Sequence, residues 1–132
     1  MTIYFDASAL AKLILIEDES NALRSWIEER RGSSQLTNVI GAIELQRLSA
    51  RVGQHALTAA MQLIAGIDLL ELTPTALTFA AALSPPEVRT LDALHIASAL
   101  ECADLDAIVT YDLRMAATSA GYGLPVVSPG RE

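Results

Sequence analysis

Short apolar runs alternate with helix-forming segments along almost the whole chain, and a parallel sheet with helices on both faces is the arrangement that accommodates this order. Ile3-Tyr4-Phe5 reads as a short buried strand with Asp6 at its carboxyl end. A helix from Ala7 to Ile16 follows, then another from about Ser20 to Arg30, in which Leu23, Trp26 and Ile27 recur at helical spacing. Leu36-Thr37 is a short strand, followed by helical patterns over Val39 to Arg51 and His55 to Ile67. Leu69 to Leu72 reads as a strand. Thr73-Pro74 is a cap-then-proline start to a helix that stops before Pro85-Pro86. Thr90 is expected to cap a helix running to about Ala103. Ala107-Ile108-Val109-Thr110 is apolar enough for a strand buried on both faces. Tyr111-Asp112 ends that strand, and a helix to about Ala120 and an edge strand at Pro125-Val126-Val127 follow. The breaks at Arg31-Gly32-Ser33-Ser34, Ser84-Pro85-Pro86 and Gly121-Tyr122-Gly123 are loops inside a single domain spanning residues 1–132.

Composition narrows the function. A chain that is 52% hydrophobic is not globally disordered. Its formal net charge of −7 excludes a bulk basic surface that grips nucleic acid by charge alone. With 2 Phe, 1 Trp and 3 Tyr it lacks a base-stacking platform along a single strand. Cys102 is the only cysteine, so no internal disulfide forms, and one Cys with two His makes a poor zinc site. These features suit a reducing, cytoplasmic compartment. Ala9 to Ile16 and Ala76 to Leu83 are too short to span a bilayer, and no basic stretch precedes an apolar run near Met1, so neither a membrane span nor a signal peptide is expected.

Parallel sheets bind ligands at the carboxyl ends of strands, beside the point where strand order reverses. Asp6 and Asp112 both follow apolar strands, so they face one crevice if those strands are neighbours. Glu44, between Ile43 and Leu45, and Asp92, between Leu91 and Ala93, are acids embedded in apolar helices. Each has an ordinary reading: Asp6 and Asp112 as helix caps, Asp92 as a first-turn acid, Glu44 as the partner of Arg47 or Arg51. As a group they point to a cation. Two unpaired carboxylates about 4 Å apart repel by ~4 kcal/mol at an effective dielectric near 20. That is a large share of a domain's stability of about 5–15 kcal/mol. An all-oxygen set selects Mg²⁺ or Mn²⁺, so Asp6, Glu44, Asp92 and Asp112 form the expected metal site.

The chain resembles the PIN-domain family, and within it the VapC-type toxin ribonucleases of prokaryotic toxin–antitoxin pairs. The resemblance rests on Ile3-Tyr4-Phe5-Asp6-Ala7-Ser8-Ala9-Leu10, on Glu44 in the third helix, on Leu91-Asp92-Ala93-Leu94-His95-Ile96-Ala97 and on Val109-Thr110-Tyr111-Asp112. It implies an α/β/α sandwich of three layers around a parallel sheet of about five strands. It also implies a magnesium-dependent endoribonuclease whose core acids fall on Asp6, Glu44 and Asp92, with a fourth on Asp112 and supporting hydroxyls on Ser8 and Thr110. Hydrolysis by an activated water, leaving a 5′-phosphate, is the route implied. So are an RNA substrate, a cognate antitoxin that blocks the acid pocket, and a homodimer. Leu57, Met61 and Leu63 are candidates for the dimer contact, with core packing the favoured reading for them. Gly41, three residues before Glu44, departs from the family pattern and is expected to loosen the start of that helix.

Arginines near the acids can offset the net charge locally. Arg47 and Arg51 share a helix face with Glu44, and Arg114 follows Asp112 by two, so these three are the expected phosphate contacts. Arg89 precedes Asp92 by three. His95, three residues after Asp92, could line the site, with a hydrogen-bonded packing residue the favoured reading; His55 is expected to face solvent and Cys102 to be a small buried apolar side chain. An aspartyl phosphatase or a receiver domain would need a second acid near Asp6, which Asp6-Ala7-Ser8-Ala9-Leu10 lacks. The remaining rival is a PIN-like module that binds RNA or protein without turnover.

Overall fold

A computed structural model describes residues 1–131. The elements run β1 (Thr2–Phe5), α1 (Ala7–Ile14), α2 (Ser20–Glu28), β2 (Ser34–Asn38), α3 (Val39–Val52) and α4 (Gln54–Ala65). They continue through β3 (Asp68–Leu70), α5 (Pro74–Ala82), α6 (Thr90–Leu100), β4 (Leu105–Val109), α7 (Leu113–Gly121) and β5 (Val126–Val127). All four strand pairings are parallel, in the order β3-β2-β1-β4-β5. The chain winds from β1 out to β3 on one side and returns at β4 on the other. The order therefore reverses between β1 and β4, where Asp6 and Asp112 follow their strands.

Alternation along β1 divides the interior into two layers, because successive side chains point to opposite faces. Ile3 and Phe5 join Leu10, Leu23, Leu45 and Val109 beneath α1 to α4. Tyr4 faces the other way, with Leu36, Ile96, Ile108 and Met115 beneath α6 and α7. The result is an α/β/α sandwich. Among the described residues no helix is long and apolar enough to cross a membrane.

Three strands pass almost directly into capped helices, and this fixes the site-bearing backbone. Asp6 caps α1 through Ala9 N–H, Asn38 caps α3 through Gly41 N–H, and Asp112 caps α7 through Arg114 and Met115 N–H. Thr73 caps α5 ahead of Pro74, as its dipeptide indicates. Thr90, by contrast, is the first residue inside α6; Arg89 holds the cap position without a side-chain cap bond. Helix α1 is shorter than its apolar run suggests, because Leu15 is extended and its carbonyl accepts a hydrogen bond from Ser20 Oγ at 3.0 Å. Gly41 does not loosen α3. A Cβ there would run into Thr37 Oγ1 and stand 3.1 Å from His95 Cε1, so the glycine makes room first for the Thr37 side chain and then for the His95 ring. Leu63 packs against the core, whereas Met61 is exposed.

The C-terminal segment is clasped beneath the site. Buried Lys12 lies 2.8 Å from Glu19, and Arg131 meets the other oxygen of Glu19 at 3.1 Å. Both cations also lie over the ring of Tyr111, next in sequence to Asp112. The hydrogen bond from Lys12 holds the Glu19 carboxyl below its usual range; desolvation opposes it and Arg131 adds to it. A depressed carboxyl contributes stability that is complete above its unfolded value, about 4.3, and that is lost as pH falls through the lower folded value. Thermal unfolding from pH 7 down to pH 3 is therefore expected to show wild type above Glu19→Gln at neutral pH, with the gap closing in acid. A gap that does not change with pH would count against this.

Candidate active site

Asp6, Glu44, Asp92 and Asp112 line one cavity of about 350 Å³ at the carboxyl ends of β1 and β4, together with Ser8, Arg89 and His95. The four acids arrive from different elements: the β1–α1 junction, the second turn of α3, the first turn of α6 and the cap of α7.

Asp6 is only 5% exposed. Ser8 Oγ donates to its Oδ1 at 2.6 Å, Thr110 Oγ1 to its Oδ2 at 2.5 Å, and Ala9 N–H to Oδ1 at 3.0 Å. Each hydroxyl also accepts a backbone amide from the turn after β4: Tyr111 N–H reaches Ser8 Oγ and Asp112 N–H reaches Thr110 Oγ1. The two supporting hydroxyls thus tie the first acid to the backbone that carries the last. Desolvation pushes the Asp6 carboxyl up, and these hydrogen bonds only partly offset it.

Glu44 does not pair with Arg47 or Arg51. Its Oε1 lies 2.7 Å from His95 Nε2, and Tyr4 Oη lies 2.6 Å from His95 Nδ1. A carboxylate only accepts, so Nε2 carries the proton, and in the neutral ring Nδ1 accepts from the Tyr4 hydroxyl. His95 is buried and hydrogen-bonded, as a packing residue would be, but its partner is a site acid and its ring lines the cavity. Tyr4 is fully buried, and desolvation drives its phenol far above the usual range, so the hydroxyl stays protonated as a donor.

Asp92 and Asp112 share one cation. Arg89 Nε donates to Asp92 Oδ2 at 3.1 Å and Arg89 Nη2 to Asp112 Oδ2 at 2.8 Å. Partial burial works upward on the Asp112 carboxyl, but the Met115 amide, Arg89 and the Arg114 amide together hold it below the usual range. Among the described residues, no three His, Cys, Asp or Glu groups stand close enough together to hold a metal ion as placed. The carboxylates share a cavity, and the partners of their oxygens are His95, Arg89 and the hydroxyls of Ser8 and Thr110.

Arg47 and Arg51 line a neighbouring groove that shares Ser8, Glu44 and Leu91 with the acid cavity. Arg114 lines a second depression, which shares Arg89 and Asp92 with it. All three arginines are exposed. The sequence places Arg89 near Asp92 and allows His95 to line the site, but it gives no sign of the Arg89 bridge to Asp112 or of the Tyr4–His95–Glu44 chain. The available signal was spacing: Arg89 and His95 flank Asp92 by three residues on either side, which makes each of them a neighbour of Asp92 at a helix start.

The sequence pattern of the PIN domain matches residues 3–121. Ribonuclease VapC47 of Mycobacterium tuberculosis (strain CDC 1551 / Oshkosh) is 39% identical over 132 residues, covering 97% of each chain. The crystal structure of Mycobacterium tuberculosis VapC20, a toxin that cleaves the sarcin-ricin loop, superposes with a TM-score of 0.74 at 18% identity, over 96% of this chain and 99% of that one. VapBC2 from Rickettsia felis, solved bound to a promoter DNA fragment, gives a TM-score of 0.74 at 10% identity, over 98% and 99% of the two chains.

Proposed function

The chain belongs to the PIN domain family, and from that premise we propose that it is a divalent-metal-dependent endoribonuclease, the toxin of a toxin–antitoxin pair. The observation that carries this reading is the gathering of four carboxylates from four elements around one cavity at the strand-order reversal. Their chemistry fits a hard ion such as Mg²⁺, with Mn²⁺ as its substitute, because every donor is an oxygen. A cation is also already accommodated there, since the Arg89 guanidinium bridges two of the acids. Asp6, Glu44, Asp92 and Asp112 are the residues that would hold the ion.

The ion, when bound, supplies Lewis acidity: activation of a water and neutralisation of charge on the phosphate. The protein's own groups do the rest. Ser8 and Thr110 fix both oxygens of Asp6, leaving it little rotamer freedom. His95 holds Glu44 at the cavity wall. Arg47 and Arg51 on one side and Arg114 on the other offer phosphate contacts to RNA lying across the cavity mouth. Replacing Arg47 and Arg51 together by Ala is expected to weaken RNA binding at every sequence and to shallow its salt dependence by one to two phosphate equivalents. An unaltered salt slope would remove them from the RNA path.

An acidic cavity flanked by exposed Ile43 and Leu91 suits a cognate antitoxin segment that is both basic and apolar. A homodimer is part of the same reading, with exposed Met61 available to it; sedimentation of the free chain tests it. The deciding experiment for the function is cleavage of labelled RNA with and without Mg²⁺, beside Asp92→Asn. Metal-dependent cleavage leaving 5′-phosphate ends, and persisting when the scissile nucleotide lacks its 2′-hydroxyl, is the expected result. RNA binding without cleavage would indicate a binding module instead.

A further inference from the structure

Arg89 stands at the cap position of α6, its side chain 56% exposed at the mouth of the acid cavity. It is the only cation paired with the site's aspartates among the described residues. It reaches two carboxylates from different elements with two different nitrogens, Nε to Asp92 and Nη2 to Asp112. A guanidinium is planar and always charged, and it serves carboxylates and phosphates with the same fork of donors. The side chain also borders the depression that carries Arg114, so an outward swing takes it along the rim between the two cavities.

Two consequences follow from electrostatics. While Arg89 bridges Asp92 and Asp112, it relieves their mutual repulsion and occupies oxygens that a divalent ion needs. Once such an ion takes those oxygens, the guanidinium sits beside a like charge and loses both acceptors. Its most favourable new partner is an anion at the cavity mouth. We propose that Arg89 is an exchangeable counter-cation of this site, displaced from Asp92 and Asp112 by the divalent ion and passed on to the phosphodiester being cleaved. The inference rests on the ribonuclease reading. It adds that the arginine opposes metal binding and favours turnover, two effects of opposite sign from one side chain.

The test is calorimetric titration of Mn²⁺ into folded wild type, Arg89→Gln and Arg89→Lys, alongside RNA cleavage at saturating Mn²⁺. Arg89→Gln is expected to bind Mn²⁺ roughly tenfold tighter, because two partly exposed pairs no longer compete for the acids. The same variant is expected to lose at least ~10²-fold in kcat, because a donor to the phosphate is gone. Arg89→Lys, which keeps the charge but not the fork, is expected to fall between. Mn²⁺ affinity that is unchanged or weaker in Arg89→Gln overturns the exchange, since an arginine that merely positions the acids would give that result. Tighter Mn²⁺ binding with unchanged kcat overturns the transfer to phosphate. Wild type that takes up no Mn²⁺ and cleaves no RNA overturns the ribonuclease reading itself, and the exchange with it.

Discussion

Asp6→Asn is expected to reduce RNA cleavage by at least ~10²–10³-fold while leaving the melting temperature unchanged or raised. The two halves have one cause. Asp6 is a nearly enclosed carboxylate, and its burial works against its charge. Asn is close to isosteric, remains an effective cap for α1 and keeps an acceptor for Ala9 N–H. With its oxygen kept toward Ala9 and Ser8, its amide NH2 takes the place of Oδ2 and donates to Thr110 Oγ1, whose hydroxyl turns to accept. The fold therefore loses little and sheds a desolvated charge, whereas the site loses its best-anchored anion. Circular dichroism and thermal unfolding of the metal-free protein, together with a cleavage assay, check both halves. A variant that still cleaves RNA at the wild-type rate would remove Asp6 from the chemistry. One that melts many degrees lower would show that the charge supports the fold.

His95→Ala is expected to damage fold and site together. Removing the ring leaves the Tyr4 hydroxyl without its acceptor in a fully enclosed place, a loss of ~1–3 kcal/mol. It also frees Glu44 from its 2.7 Å partner. Groups that orient a metal-binding carboxylate typically account for about 10–100-fold in metal affinity or activity. Tyr4→Phe separates the two effects, because it removes one hydroxyl and keeps the ring against Glu44. It is expected to retain more Mn²⁺ affinity than His95→Ala. Unfolding midpoints and Mn²⁺ titration of both variants provide the comparison. Equal Mn²⁺ affinity in wild type and His95→Ala would reduce His95 to packing alone.

Much of the layout was legible from spacing because its causes are local. An apolar strand followed within three residues by an Asp that caps the next helix is a pattern confined to a few consecutive positions, and Asp6 and Asp112 both obey it. The same locality explains the Thr73-Pro74 start of α5. It also explains why the start of α6 lies one residue from the cap that Thr90 suggests. Thr90 and Arg89 are adjacent, and which one occupies the cap is decided by where the preceding loop delivers the chain. Cap and site roles, which looked like alternatives for Asp6 and Asp112, coincide: the backbone that needs a capping acceptor is the backbone that aims the carboxylate at the cavity.

Partner choice among charged groups lay beyond the sequence. Glu44 had Arg47 and Arg51 within reach on its own helix and instead meets His95, 51 residues away. Arg89 could be paired with Asp92 from spacing alone, but its second bond, to Asp112, exists only because α6 and the end of β4 meet at the same rim. Thr110 reaches Asp6 across 104 residues because β4 lies directly beside β1. Periodicity and capping thus determined which residues are strand ends, which faces are apolar and which acids open helices. The tertiary structure alone decided which cation each acid holds, since that depends on strand order and on distances of a few ångströms between chain segments that local rules leave unconnected.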